Sequence, residues 1–149
     1  EVNSTQTTLA DQLTAAGADI VVGNHPHVIQ PFQWVNNKPV FYAMGNLIST
    51  QLNQENLVGL CAGLDITKKE DGSIVIDNVK ADLMYTTMEG TYPALRYNVQ
   101  VHPMKNVSDE TLQAQQCNKD YTTVNELYEA SKAIVTSLDS NITIGGIFE

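Results

Sequence analysis

The stretch STQTTLADQLTAAGADIVVG, residues 4–23, constrains the fold most sharply: a helical pattern stops at a glycine, and three β-branched residues follow a two-residue link. Leu9, Leu13 and Ala16 recur at helical spacing, and Gly17 stands where a left-handed C-terminal cap falls. Ile20-Val21-Val22 is too short for a helix and does not alternate with polar residues, so it reads as a buried strand in a parallel arrangement. Helix, short link, buried strand and polar loop make up the αβ unit of α/β proteins, in which ligands gather beyond the carboxyl ends of the strands. The loop in that place is Gly23-Asn24-His25-Pro26-His27, and it takes two of the three histidines in 149 residues.

Downstream the pattern changes to antiparallel sheet. Residues 31–35 and 39–44 read as strands joined by Asn36-Asn37-Lys38, since asparagine tolerates the positive φ of hairpin turns. Residues 57–85 form a longer hairpin around Glu70-Asp71-Gly72, with one face expected buried and the other wet. Residues 97–101 add a strand. A capping box, Thr123-Val124-Asn125-Glu126, then opens a helix with Leu127, Ile134, Val135 and Leu138 as its apolar stripe. No repeat or linker divides the chain, so residues 1–149 are expected to form a single α/β domain with a mixed, largely antiparallel sheet and flanking helices.

Composition narrows the function classes. A net charge of -9 and only eight Lys and Arg exclude a nucleic-acid surface, which needs clustered cations. No apolar run approaches the roughly 20 residues that cross a bilayer. Cys61 and Cys117 match no zinc spacing; one bridge between them and burial as two small apolar groups both stay open.

The histidine loop is the candidate for chemistry. Neutral imidazole is a common ligand of zinc, manganese and iron, and a metal site needs ligands converging from rigid elements. Pro26 has φ fixed near -65° and biases the preceding residue away from helix, so His25 and His27 are both expected extended, with defined side-chain directions. If two ions sat roughly 3.5 to 4 Å apart, each histidine would serve a different one. A His-x-His triplet also arises by chance, as surface or capping residues, and spacing alone leaves both readings open.

The longer string GADIVVGNHPHVIQPFQWVNNKPVFYAMGNLI, residues 17–48, resembles the closing segment of the bacterial capsule-synthesis CapA family, the poly-γ-glutamate biosynthesis proteins. Members read G-A-D-x-V-x-G-x-H-P-H-V-x-Q-P and then G-K-P-x-x-Y-S-x-G-N-F. The match is strong over residues 9–50 and loose beyond. That family is similar in fold to the calcineurin-like metallophosphoesterases, αββα sandwiches with two metals. The resemblance therefore implies the C-terminal half of such a sandwich, with His25 and His27 as its late pair of metal ligands and Asn24 and Asn46 as further binding candidates. An alternative alignment with the superfamily's mid-chain Gly-Asn-His-Asp/Glu motif fails at Pro26, which occupies the acidic position, and leaves His27 unexplained.

The same resemblance implies two divalent ions (Mn, Fe or Zn) in the intact protein, held weakly or not at all by this chain alone. It implies an extracytoplasmic, cell-envelope location, anchored to the membrane by a segment preceding residue 1. The implied activity is that of a metal-dependent phosphoesterase-like hydrolase acting on cell-envelope polymer or a phosphorylated small molecule, with this fragment inactive alone. The alternative is a non-catalytic accessory in capsule polymer assembly or export, working with capsule-synthesis membrane proteins. The superfamily's early ligand motifs, Asp-x-His and Gly-Asp-x-x-Asp, are missing, and Ala43 and Leu47 replace the usual Ser and Phe. A cut sheet leaves open edges, so a homodimer of the fragment is a further expectation. Trp34 and Tyr42 are expected to face each other across the first hairpin, and His102, which has no partner in the sequence pattern, to be a surface histidine.

Overall fold

The computed structural model describes residues 1–148. Helix α1 spans Ser4–Ala15, started by Asn3, whose side chain accepts from Gln6 N while the Gln6 side chain returns to Asn3 N, and stopped at Gly17 with φ +107°. Its buried face is not the leucine stripe: Ala10 and Thr14 are buried, whereas Leu9 is 51% and Leu13 40% exposed. The reason lies in the next hairpin. Asn36 Nδ2 donates to Asp11 Oδ1 and Thr14 Oγ1, both at 3.0 Å, and the small Ala10 lets the helix settle against Val40 and Tyr42.

Strand β1, Val21–Val22, pairs in parallel with β3, Lys38–Phe41, which pairs antiparallel with β2, Phe32–Val35. The β2–β3 turn is Asn36-Asn37 with φ +50° and +57°, the mirror-image turn whose twist suits paired strands. The order β1-β3-β2 makes β1 an edge, so Ile20 and Val21 are half-buried and Val22 is 63% exposed, in place of the fully buried strand expected. β3 is the covered strand instead. Phe41 faces the main core, while Val40 and Tyr42 face α1, as the two-residue period of a strand requires. Trp34 stands opposite Pro39, not Tyr42; it packs edge-on to Phe32 at 5.9 Å, and Tyr42 Oη donates to Gln33 Oε1 at 2.9 Å.

The second sheet is built on a long hairpin. β4, Val58–Lys68, and β5, Ile74–Glu89, turn at Gly72, φ +85°, where Asp71 accepts from the Ser73 hydroxyl and N–H and its carboxyl is held below the usual range. β6, Tyr97–Pro103, joins the other edge of β5, and β7, Thr143–Ile144, lies parallel beside Lys80 and Ala81. Burial follows position along the hairpin more than alternation. Residues 81–86 are buried throughout: Ala81, Leu83 and Tyr85 join the core, while Asp82 is capped by the N–H groups of Ile147 and Phe148 and Thr86 donates to Leu47 O. The distal half carries an exposed Ile66. His102 is half-buried rather than on the surface, with its Nε2 2.9 Å from Thr87 Oγ1.

Helices α2, Asp109–Ala114, and α3, Val124–Val135, complete the main core with Leu112, Leu127 and Val135. Helix α2 and β7 were not expected, although Ser108 followed by Asp109-Glu110 is a helix-start signal, and the Ser108 side chain accepts from Thr111 N. On α3 the buried face is Leu127, Ser131 and Val135 at four-residue spacing, so Ile134 and Leu138 from the expected stripe are 43% and 48% exposed. The result is mixed α/β with mixed, largely antiparallel sheets and flanking helices. Cys61 and Cys117 are free and half-buried, and burial pushes the Cys117 thiol up. Among the described residues no helix is long and apolar enough to cross a membrane.

The α3 cap gives a pH prediction. Glu126 accepts from the N–H groups of Thr122 and Thr123, which holds its carboxyl below the ordinary glutamate range. A depressed folded pKa stabilises above the unfolded value, and the contribution is lost as pH falls through the folded value. Thermal midpoints measured from pH 6 down through the carboxylate range should therefore fall less steeply for Glu126→Gln than for the unmodified chain.

Candidate functional site

The histidine loop leaves β1 where the backbone has no room for side chains. Gly23 N donates to Phe41 O at 2.8 Å, and a Cβ at Gly23 would lie 2.3 Å from Tyr42 O. Gly23 O then accepts from Met44 N at 3.3 Å, which extends the parallel ladder to the start of the loop. Beyond it His25 and His27 are exposed, and both have positive φ, +108° and +60°, in place of the extended conformation expected. Pro26 does restrict its neighbour, but the chain has to double back to bring Ile29 into its bridge with Met44, and the histidines absorb the turn. Positive φ is rare for residues with a Cβ and persists only where the surroundings hold it.

Those surroundings are two asparagines. Asn46 Nδ2 donates to the His27 carbonyl at 3.2 Å and Asn56 Nδ2 to the same carbonyl at 3.0 Å. Asn46 Nδ2 also faces Gln51 Oε1 at 2.9 Å and Asn56 O at 3.0 Å. With three acceptors around the amide nitrogen, Asn46 Oδ1 must be the atom 2.9 Å from His27 Nδ1. An amide oxygen only accepts, so His27 Nδ1 carries a proton, and in the neutral ring Nε2 keeps a bare lone pair, the form in which a histidine ligates metal.

Asn46 reaches this position through a second glycine contact. Gly45 and Gly59 form an antiparallel bridge between the sheets, with Leu60 N donating to Met44 O at 2.8 Å. A Cβ on Gly59 would sit 2.3 Å from Asn46 O, and one on Gly45 would sit 2.6 Å from Val58 O. Of the sequence candidates, the structure thus joins His27 and Asn46. It sends Asn24 elsewhere, to a shallow cleft shared with Gln6, Leu9 and Leu13 of α1. Asn56 and Gln51 were missed by sequence reasoning; they lie 10 and 5 residues from Asn46, and nothing in their spacing marks them as partners.

Among the described residues no group of three or more His, Cys, Asp or Glu is placed to hold a metal ion. Two imidazoles, one oriented by an amide, fit part of a divalent-metal ligand set. They do not make a whole one, because such sites take three or more converging protein ligands.

Fold and site together define a class: an α/β sandwich portion that presents an asparagine-oriented histidine loop at the carboxyl end of a parallel strand. Residues 1–51 match the family described as bacterial capsule synthesis protein PGA_cap. Over 49 residues the chain is 45% identical to the PGA biosynthesis protein CapA of Bacillus subtilis (strain 168), an alignment covering 33% of this chain and 13% of that protein. Over 46 residues it is 46% identical to the capsule biosynthesis protein CapA of Bacillus anthracis, covering 31% of this chain and 11% of the relative. The segment carrying the histidine loop is similar to the CapA family. The matched stretch is a small part of the length of either relative.

Two outcomes test this geometry. Long-range 1H–15N correlation of the imidazoles should show neutral His27 protonated at Nδ1, and Asn46→Ala should shift the population toward the Nε2–H tautomer. Gly23→Ala should lower unfolding free energy by about 2 kcal/mol in urea titration, since the Cβ meets main chain that cannot swing aside.

Proposed function

We propose that the protein to which this chain belongs acts in bacterial capsule or poly-γ-glutamate synthesis at the cell envelope, with His25 and His27 as part of a divalent-metal site. The observation that carries the reading is the Asn46–His27 contact, which fixes the ring and leaves Nε2 free on an exposed loop. The similarity of residues 1–51 to capsule synthesis proteins supplies the biological setting.

In this reading Asn46 and Asn56 hold the loop against the sheet junction and set the tautomer, and His27 donates its Nε2 lone pair. His25, on the other side of Pro26, supplies a second nitrogen. A bound divalent ion (Mn, Fe or Zn) would supply positive charge to polarise a phosphoester or acyl oxygen. The remaining ligands would come from other parts of the protein. The chain's strong negative charge disfavours an anionic polymer except where metal offsets it locally.

The test is metal content by plasma mass spectrometry on the longer parent protein, for the wild type, His25→Ala and His27→Ala, with p-nitrophenyl phosphate turnover on the same samples. Near-stoichiometric Mn, Fe or Zn that disappears with either substitution, together with loss of turnover, supports a metal-dependent hydrolase. Metal lost without any turnover to lose supports a metal-binding accessory. A wild type without metal, and variants of unchanged fold, overturn the reading in favour of a non-catalytic assembly or export role.

A further inference from the structure

A separate cavity of about 390 Å³ lies between α3 and the segment that follows the histidine loop. Its volume falls at the lower end of small-ligand pockets. Ile29, Val58 and Leu127 give it an apolar floor, and the half-exposed Ile134 and small Ala130 of α3 form one wall. Ser131, only 4% exposed, lines the same wall, and none of the side-chain hydrogen bonds among the described residues engages its hydroxyl.

The charged side chains of the lining have one sign. Glu1, Glu55 and Asp120 are acidic, among the described residues no lysine, arginine or histidine lines the cavity, and the α-amino group of Glu1 is a cation at its edge, away from Glu55 and Asp120 in sequence. The nearby start of α3 offers an anion little, because most of its donors are already taken: Thr122 and Thr123 N–H by Glu126, Val124 N–H by Asp109 at 2.7 Å, and Glu126 N–H by Thr123 Oγ1. The acidic side is also held in place. Fully buried Gln54 accepts from Asp120 N at 3.1 Å and Tyr121 N at 2.9 Å through Oε1, and donates from Nε2 to Tyr121 O at 3.2 Å.

We propose that this cavity binds a small organic ammonium ion, its apolar body on Ile29, Val58 and Leu127 and its charged end toward Glu55 and Asp120. A neutral ligand of the same shape would gain only the apolar contact, and a carboxylate would meet like charge. The cation gains both the apolar burial and the charge-assisted hydrogen bonds. Ser131 adds a hydroxyl able to accept from an ammonium N–H. The site does not depend on metal at the histidine loop, so it stands or falls separately from the function proposed above.

Phenethylammonium is a suitable probe, set against 2-phenylethanol and 3-phenylpropionate, with binding read from methyl 1H–13C correlations of Ile29, Val58, Leu127 and Ile134. The expected result is saturable shifts at these methyls for the ammonium, at least tenfold weaker binding of the alcohol and none of the carboxylate. The double variant Glu55→Gln, Asp120→Asn alters exposed side chains only and should weaken the ammonium at least tenfold while leaving the alcohol unchanged. Ala130→Trp should abolish both by filling the space. Equal binding of alcohol and ammonium, preference for the carboxylate, an unaffected double variant, or no saturable shift at these methyls would each overturn the proposal.

Discussion

The architecture around the histidine loop depends on two places where main chain meets main chain with no side chain between. At Gly23 the loop departs against Tyr42 O, and at Gly45 and Gly59 the two sheets touch. The second contact matters more for chemistry. Asn46 follows Gly45 directly, so the closeness of the sheets decides whether its amide reaches His27, Gln51 and Asn56 together. A methyl group at either glycine would wedge the sheets apart by more than a hydrogen bond tolerates. The orientation of the His27 ring thus derives from packing several residues away.

Strain and support are paired in the same loop. Both histidines of the His-Pro-His triplet sit at positive φ, a conformation that costs free energy at each. The two side-chain hydrogen bonds to the His27 carbonyl, together with the Ile29–Met44 bridge just beyond, offset that cost. His25 has no comparable side-chain anchor among the described residues. The two histidines are therefore unequal: one is fixed in ring orientation and tautomer, while the other is fixed only through its backbone.

Much of this was legible in the sequence because it depends on local signals. Gly17 and Asn36-Asn37 are backbone signals, and both the helix stop and the mirror-image turn stand where they point. The Thr123–Glu126 capping box and the Asp71-Gly72 turn are equally local, and both form. What was not legible depends on which neighbour covers which face. Leu9 and Leu13 follow helical spacing faithfully, yet Asn36 and Ala10 turn the other face inward. Ile20-Val21-Val22 has the composition of a central strand but lies at an edge, because β3 takes the middle place. Within the site, the pairing of His27 with Asn46 across 19 residues needed the inter-sheet contact at Gly59, which the sequence shows only as one glycine in a strand. The family resemblance identified the loop; it did not reveal that Asn46 orients one histidine and that Asn24 faces a different cleft.

The most direct test of the central claim is anomalous diffraction from crystals of the full-length protein grown with manganese or zinc. If Asn46 presents His27 as argued, a metal peak lies within about 2.2 Å of His27 Nε2, and Nδ1 remains hydrogen-bonded to Asn46 Oδ1. A metal on Nδ1, with Asn46 displaced, or no peak at an intact His25-Pro26-His27 loop, would contradict the account.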